Sequence, residues 1–365
     1  MPRNPFTPTF GMVPPFMAGR ERILEDMASA FEDGPGNPNL SSILIGARGT
    51  GKTALLSRIA EESQTRGWLA VNVVAGTGML EDIVQQVGKK AAHILDPTPE
   101  RKLSAIGIGQ LLNLEWVFEP KGDANWRTRM EALLDQIESQ GFGLAITVDE
   151  VRVDVEEMIQ LASVYQLFIR DGRKVSLIMA GLPAHVTDLI DDKRVTFLRR
   201  ARQHYLGRID DREVRQALEK TIEYAGKSTA PGALDIMVAA ADGFAYMMQL
   251  VGYYAWNENR DAEVITREDA ERGAQLARDD FEHGVLETTY REMSAGDRAF
   301  ANAMLPDAHG SKLAEVARRM QKSTSYASTY KRRLLQLGII GERAGNTFDF
   351  DMPYLREYLQ TIEGE

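Results

Sequence analysis

The chain has 365 residues, a formal charge of −10 and an apolar content of 44%. That length accommodates two or three domains with buried cores, and the acidic balance excludes a surface that is basic throughout, leaving room only for a local basic patch. The absence of cysteine excludes disulfides, thiolate metal sites and cysteine nucleophiles together.

Residues 1–18 read as an extended arm punctuated by Pro2, Pro5, Pro8, Pro14 and Pro15, without the apolar core of a secretory signal. No run approaches the roughly 18 apolar residues of a membrane helix. A cytoplasmic protein with no membrane partner is therefore expected. A helix is expected from Gly19 to about Phe31, ended by the turn-rich stretch Gly34 to Asn39. Apolar runs at Ser42 to Ile45, Leu69 to Val74, Leu144 to Val148 and Val175 to Ala180, with a fifth at Tyr205 to Ile209, alternate with amphipathic segments. Those segments are Lys52 to Thr65, Leu80 to Leu95, Trp126 to Ser139 and Glu156 to Arg170. Buried strands joined by helical crossovers predict an α/β fold with a parallel sheet covered on both faces. Alternating apolar residues from Ile106 to Phe118 predict a β-hairpin inserted over 103–120.

From Asp211 to about Ala277 the pattern is purely helical, and a hairpin over Ile339 to Phe350 closes the helices that follow. The expected division is a nucleotide-binding sheet domain at 1–210, a helical lid at 211–285 and a small C-terminal domain at 286–365. In the last, a helix over Lys312 to Met320, a turn at Lys322-Ser323, a second helix over Thr324 to Leu337 and the hairpin follow the order of a winged helix-turn-helix.

Residues 46–53 read Gly46-Ala47-Arg48-Gly49-Thr50-Gly51-Lys52-Thr53, the full G-x-x-x-x-G-K-[ST] pattern between a strand and a helix. Glycines let backbone N–H groups surround phosphates, and the helix N-terminus adds positive potential. Lys52 is placed to reach the β- and γ-phosphates of ATP and Thr53 to ligate Mg2+. The run Leu144 to Glu150 is an apolar strand ending in two carboxylates. Asp149 is expected to hold the magnesium and Glu150 to act as general base on the attacking water, giving ATP hydrolysis to ADP. The five histidines are scattered, and none shares a helix face at metal-ligand spacing.

These residues resemble the AAA+ ATPases of the archaeal-type ATPase and origin-recognition replication-initiator group, over nearly the whole chain. The carriers are Phe16 to Glu21, Gly46 to Thr53, Val148 to Val151, Ala180 to Pro183, Thr196 to Ala201 and Gly243 to Leu250. The resemblance implies a five-stranded parallel core, a helical lid, a C-terminal winged helix, and backbone at Met17, Ala18 and Gly19 lying against adenine. It also implies an arginine finger at Arg199 or Arg200 serving a neighbouring subunit, which requires a homo-oligomer. Two departures stand out. The strand ending Met179-Ala180-Gly181 has no polar residue to sense γ-phosphate, and the lid position Gly243-Phe244-Ala245-Tyr246 has no arginine. Both losses predict slow hydrolysis.

On the second C-terminal helix, Tyr326, Tyr330, Leu334 and Leu337 are expected to pack inward. Ser325, Ser328, Thr329, Arg332, Arg333 and Gln336 share the opposite face, suited to bases and phosphates. Eight basic residues stand against two acidic ones between Ser311 and Gly345. That inversion predicts double-stranded DNA as a partner, with Arg343 near the hairpin turn reaching a neighbouring backbone or minor groove. The rival expectation is a signal-transducing NTPase switch whose C-terminal domain contacts protein or caps its own ATPase core.

Overall fold

The computed structural model describes residues 3–9, 11–95 and 125–364; the expected hairpin at 103–120 lies outside them. Five strands form one parallel sheet: β1 (Ser41–Gly46), β2 (Trp68–Val74), β3 (Gly143–Asp149), β4 (Val175–Gly181) and β5 (Arg202–Leu206), in the order β2-β3-β4-β1-β5. Strand β4 therefore separates the strand that feeds the phosphate loop from the strand that ends in Asp149. Register is set by rows such as Ile43 beside Met179 and Val148 beside the same Met179.

Alternate side chains enter opposite faces, the period-2 rule of a strand. Leu44, Ala145 and Ile178 join Met27, Phe31, Leu55 and Ile59 on one face. There they meet α1 (Glu21–Asp33) and α2 (Lys52–Thr65). Trp68 closes that layer: its indole N–H donates to the Phe31 carbonyl at 2.8 Å, and its ring meets that of Phe31 edge-on at 5.3 Å. Ile43, Ile146 and Leu177 join Val84, Leu133, Met158 and Phe168 on the other face. Here the cover is α3 (Met79–Leu95), α4 (Trp126–Ser139) and α5 (Glu156–Arg170).

The fifth strand lies three residues earlier than expected. Its inward side chains are His204 and Leu206, and the Ser42 hydroxyl meets His204 Nε2 at 3.3 Å. An edge strand whose first three residues are polar carries no apolar run, while Ile209 belongs to the next turn, its N–H donating to the Gly243 carbonyl. After β4 come α6 (Pro183–Asp191) and a 3-10 turn at Thr196–Arg200.

The expected all-helical stretch holds α7 (Asp211–Tyr224), α8 (Ala233–Ala241), α9 (Ala245–Glu258) and α10 (Arg267–Phe281), and also a short parallel pair, β6 (Ser228–Thr229) with β7 (Val264–Ile265). Two-residue strands are too short to carry a periodic signal. Helix α10 passes through a π-helical turn, Glu282–Leu286, into α11 (Glu287–Glu292), so helical backbone is continuous from Arg267 to Glu292. Then follow α12 (Ala295–Met304), α13 (Leu313–Arg319), α14 (Thr324–Gln336), the antiparallel pair β8 (Ile340–Arg343) and β9 (Thr347–Phe350), and α15 (Leu355–Gly364). One apolar core runs through all of these, from Ile209 to Leu359, and takes in Phe6 and Ala18 from the N-terminal arm.

Helix α14 is rotated from its expected setting. Ala327 and Leu334 are its buried residues, Tyr330 and Leu337 are half-buried, and Tyr326 is 40% exposed rather than inward. Tyr326 pairs with Tyr330 on the surface, rings 5.0 Å apart. Helix α14 packs on α6, where Gly338 (φ +67°) approaches Leu182 so closely that an added Cβ would stand 3.0 Å from its side chain. Among the described residues no helix is long and apolar enough to cross a membrane.

Candidate nucleotide site

Strand β1 delivers the chain into a tight loop at Gly46. An added Cβ there would meet Thr50 Oγ1 at 2.7 Å and the Leu206 carbonyl at 2.8 Å, so the glycine is required by close approach. Gly51 caps α2 at φ 85°, a left-handed conformation open to glycine at little cost. The buried Thr50 hydroxyl holds the loop by donating to the Ala47 carbonyl at 2.9 Å.

Lys52 turns its ammonium into the loop, donating to the Gly46 and Ala47 carbonyls at 2.8 Å each. Burial pulls its pKa down to about 8, against the attraction of Asp149; Arg48 lowers it further and Glu150 raises it. The Thr53 hydroxyl donates to Asp149 Oδ2 at 2.5 Å, and the other oxygen of that carboxylate accepts the Glu150 N–H at 2.8 Å. The structure thus brings together Lys52, Thr53 and Asp149 from α2 and β3. Glu150 stands beside them, exposed, with φ 54°. A non-glycine residue there carries backbone strain that concentrates at functional sites. A cavity of about 450 Å3 opens next to Thr53 and Asp149, lined also by Asn72, Val74, Thr77 and Asp82.

Of the three residues matched to the adenine side, Met17 is half-buried, Ala18 is buried, and Gly19 has φ +64°. An added Cβ on Gly19 would stand 2.6 Å from Glu213 Oε2, on α7. The neighbouring Arg20 was not singled out by spacing or charge, yet it is 9% exposed. Its guanidinium donates to the Gly19 carbonyl at 3.2 Å, the Gly207 carbonyl at 3.4 Å and the Thr50 carbonyl at 3.5 Å. It ties the opening segment, the end of β5 and the phosphate loop together. Burial lowers its pKa while Glu213 and Glu21 raise it. A lone arginine in a charged Gly-Arg-Glu run gives no sign of burial.

The two segments that lack a phosphate-binding side chain are both accounted for. Met179 and Ala180 are fully buried in the sheet. Residues 245 and 246 lie directly on the phosphate loop: the Tyr246 N–H donates to the Gly49 carbonyl at 3.2 Å, and an added Cβ on Gly51 would meet Ala245 at 3.3 Å. His185, in the first turn of α6, is half-buried, its pKa lowered by burial and by Arg152. Arg199 is committed within the fold, pairing with Asp191 at 3.0 Å and donating to the Ile190 carbonyl at 3.2 Å. Arg200 is exposed and has no ion pair among the described residues.

The C-terminal basic surface is smaller than the residue count indicates. Arg318 pairs with Glu315, Arg319 with Asp307, Lys331 with Glu342, Arg333 with the fully buried Asp297 and Arg343 with Asp351, at 2.5–2.9 Å. Three of these acids lie outside residues 311–345, where only tertiary structure brings them in. Lys312, Lys322 and Arg332 have no carboxylate partner among the described residues, and Ser325 and Thr329 are exposed beside Arg332 while Ser328 is half-buried.

A parallel sheet in this order, a complete phosphate loop and a Thr–Asp contact across it define the P-loop fold of the AAA+ ATPases. Among solved structures, the chain is similar to the ORC2 protein of Aeropyrum pernix in its ADPNP–ADP complexes, at 15% identity and a TM-score of 0.63, covering 97% of this chain and 96% of that one. It is also similar to a Walker-type ATPase of Pyrococcus abyssi, at 14% identity and a TM-score of 0.66, covering 94% and 96%. Likeness at such identities establishes the shared fold. A family described as "Domain of unknown function (DUF8462)" matches residues 283–359. No curated protein matches the sequence.

Proposed function

We propose that this protein is a slow ATPase that works as a nucleotide-controlled switch. The observation that carries the reading is the 2.5 Å contact between Thr53 and Asp149 beside a complete phosphate loop. A hydroxyl and a carboxylate in contact form an oxygen donor set suited to a hard cation such as Mg2+, which takes its other ligands from phosphate and water. Residues Gly46 to Thr53 would surround the phosphates of ATP, Lys52 would neutralise them, Met17 to Gly19 would border the adenine, and Glu150 would take a proton from the attacking water. Slow turnover follows from the buried Met179 and the arginine-free lid segment, since each missing donor is worth about 3 kcal/mol of transition-state stabilisation.

In this reading residues 1–210 hold the nucleotide, 211–285 form the lid and 286–365 a winged-helix unit that follows the lid. The Tyr354 hydroxyl donates to the Ala240 carbonyl at 2.6 Å, and Arg278 lies over the Tyr354 ring at 4.7 Å, which supports that coupling. Calorimetry of ATP–Mg on the wild type and on Lys52→Ala, with single-turnover hydrolysis alongside, tests the reading. Tight binding lost in a folded Lys52→Ala is expected; equal affinity would overturn it.

A second reading, binding of double-stranded DNA by α14, is favoured by the exposed Ser325, Thr329 and Arg332 and by Lys312 and Lys322, which have no carboxylate partner among the described residues. Three such cations on phosphate give a log–log salt slope of about −2.7. Anisotropy on duplex DNA at several salt concentrations measures it, and no salt-dependent binding would exclude this surface.

A further inference from the structure

The N-terminal arm makes contacts that the reading so far does not use. Asn4 Nδ2 donates to the Tyr253 carbonyl and the Thr7 N–H donates to Gln249 Oε1, both at 3.0 Å, on the lid helix α9. Between them Phe6 is only 3% exposed. Its ring fills the space that a side chain at Gly252 would need: an added Cβ there would stand 2.3 Å from Phe6 Cε1. The arm then crosses to the sheet domain, where Gly11 (φ +72°) lies on Thr53, an added Cβ standing 3.5 Å from the threonine methyl. Further on, Phe16 meets Tyr224 of α7 edge-on at 5.9 Å, and Ala18 is buried. The arm thus runs from the lid, over the threonine of the phosphate loop, to the segment matched to the adenine side.

Helix α9 itself begins on the phosphate loop, through Tyr246 and Gly49. Opening between lid and loop must therefore part the arm from one side or the other. A buried aromatic ring in a gap left by glycine is a strong and geometrically specific anchor, and the two hydrogen bonds, each joining a side chain to a backbone group, fix its register.

We propose that the arm is a strap across the nucleotide site, anchored in the lid by Phe6, and that it slows release of bound nucleotide. This rests on the nucleotide-binding reading above. Phe6 is a positioning residue: it touches no phosphate and acts by holding α9 against the loop.

The test is stopped-flow release of a fluorescent ATP analogue with magnesium, chased by excess ATP, on the full chain. Phe6→Ala should release at least about tenfold faster than wild type, the factor for about 1.4 kcal/mol of lost docking. Phe6→Leu should recover part of the slow release. Gly252→Ala, which alters no arm residue, should also speed release because its methyl group displaces the Phe6 ring. In the Phe6→Ala background the same change should add nothing, since the ring it would displace is gone. Thermal melts without nucleotide report whether each variant folds, and Gly252→Ala decides the case if Phe6→Ala folds poorly. Folded variants that release the analogue at the wild-type rate would overturn the strap. A wild-type protein that binds no analogue would overturn the nucleotide reading instead.

Discussion

Raising the pH from 7 to 9.5 should weaken ATP–Mg binding, and the cause should be a single proton on Lys52. Burial lowers its pKa from 10.5 to about 8 in the free protein. Between those values the unfolded chain holds more of this proton than the folded one. The group therefore costs stability below pH 8, and the cost fades as pH rises toward 10.5, by about 3 kcal/mol in all. Polyphosphate in contact with the ammonium would restore its charge, so binding takes up a proton wherever the free lysine has lost one. At pH 7 the uptake is small; at pH 8 it should be about half a proton and at pH 9 about nine-tenths, with affinity falling close to tenfold per pH unit above that. Phosphate groups, with a second pKa of about 6, are already ionised over this range. Calorimetry in buffers of different ionisation enthalpy at pH 7, 8 and 9 reads the uptake directly. Lys52→Arg should bind without it, because a guanidinium stays charged. An affinity that is flat from pH 7 to 9.5, with no buffer-dependent heat, would show that Lys52 is not the phosphate's charge partner.

Glu150→Gln should keep ATP–Mg binding and lose single-turnover hydrolysis, whereas Asp149→Asn should weaken the magnesium-dependent part of binding; a wild-type rate in Glu150→Gln would assign the base elsewhere. Arg200→Ala mixed with Glu150→Gln should recover hydrolysis if Arg200 serves a neighbouring subunit, and no recovery at any ratio would leave Arg200 without that role. Arg333→Ala should lower stability by about 1–3 kcal/mol, because it leaves the buried Asp297 carboxylate short of a partner, whereas Arg332→Ala should stay within about 0.5 kcal/mol. Thermal melts separate the two, and equal melting points would contradict the ion pair. On duplex DNA, Arg332→Ala should flatten the salt slope by about one unit, and an unchanged slope would remove Arg332 from any DNA contact.

The sheet domain was legible because its physics is local. Strands buried on both faces read as continuous apolar runs, and the helices between them are long enough to show their period. The phosphate loop and the Asp149-Glu150 pair were legible because fixed spacing and strand context come from neighbouring residues. What the sequence hid depends on distant ones. Strand β5 is polar at Arg202, Gln203 and His204 because it lies at the sheet edge. The burial of Arg20 follows from the meeting of three separate segments. The charge of the C-terminal surface is reduced by Asp297, Asp307 and Asp351, which fall outside the window where basic residues cluster. The tilt of α14 about its axis, which buries Ala327 and exposes Tyr326, is set by what it packs against, including α6, and not by its own apolar spacing.

The π-helical turn at Glu282–Leu286 has a mechanical consequence. A loop at that point would let residues 211–285 and the C-terminal elements move independently, but the turn carries helical backbone without a break from α10 into α11. At 1.5 Å per residue the helical run from Arg267 to Glu292 has a contour of about 39 Å. That contour spans about seven helical turns at 5.4 Å each. In the reading of residues 211–285 as a lid, a shift of that lid would pass to the C-terminal elements through one continuous helical backbone, with Ala277, Phe281 and Leu286 holding it in the shared core along the way.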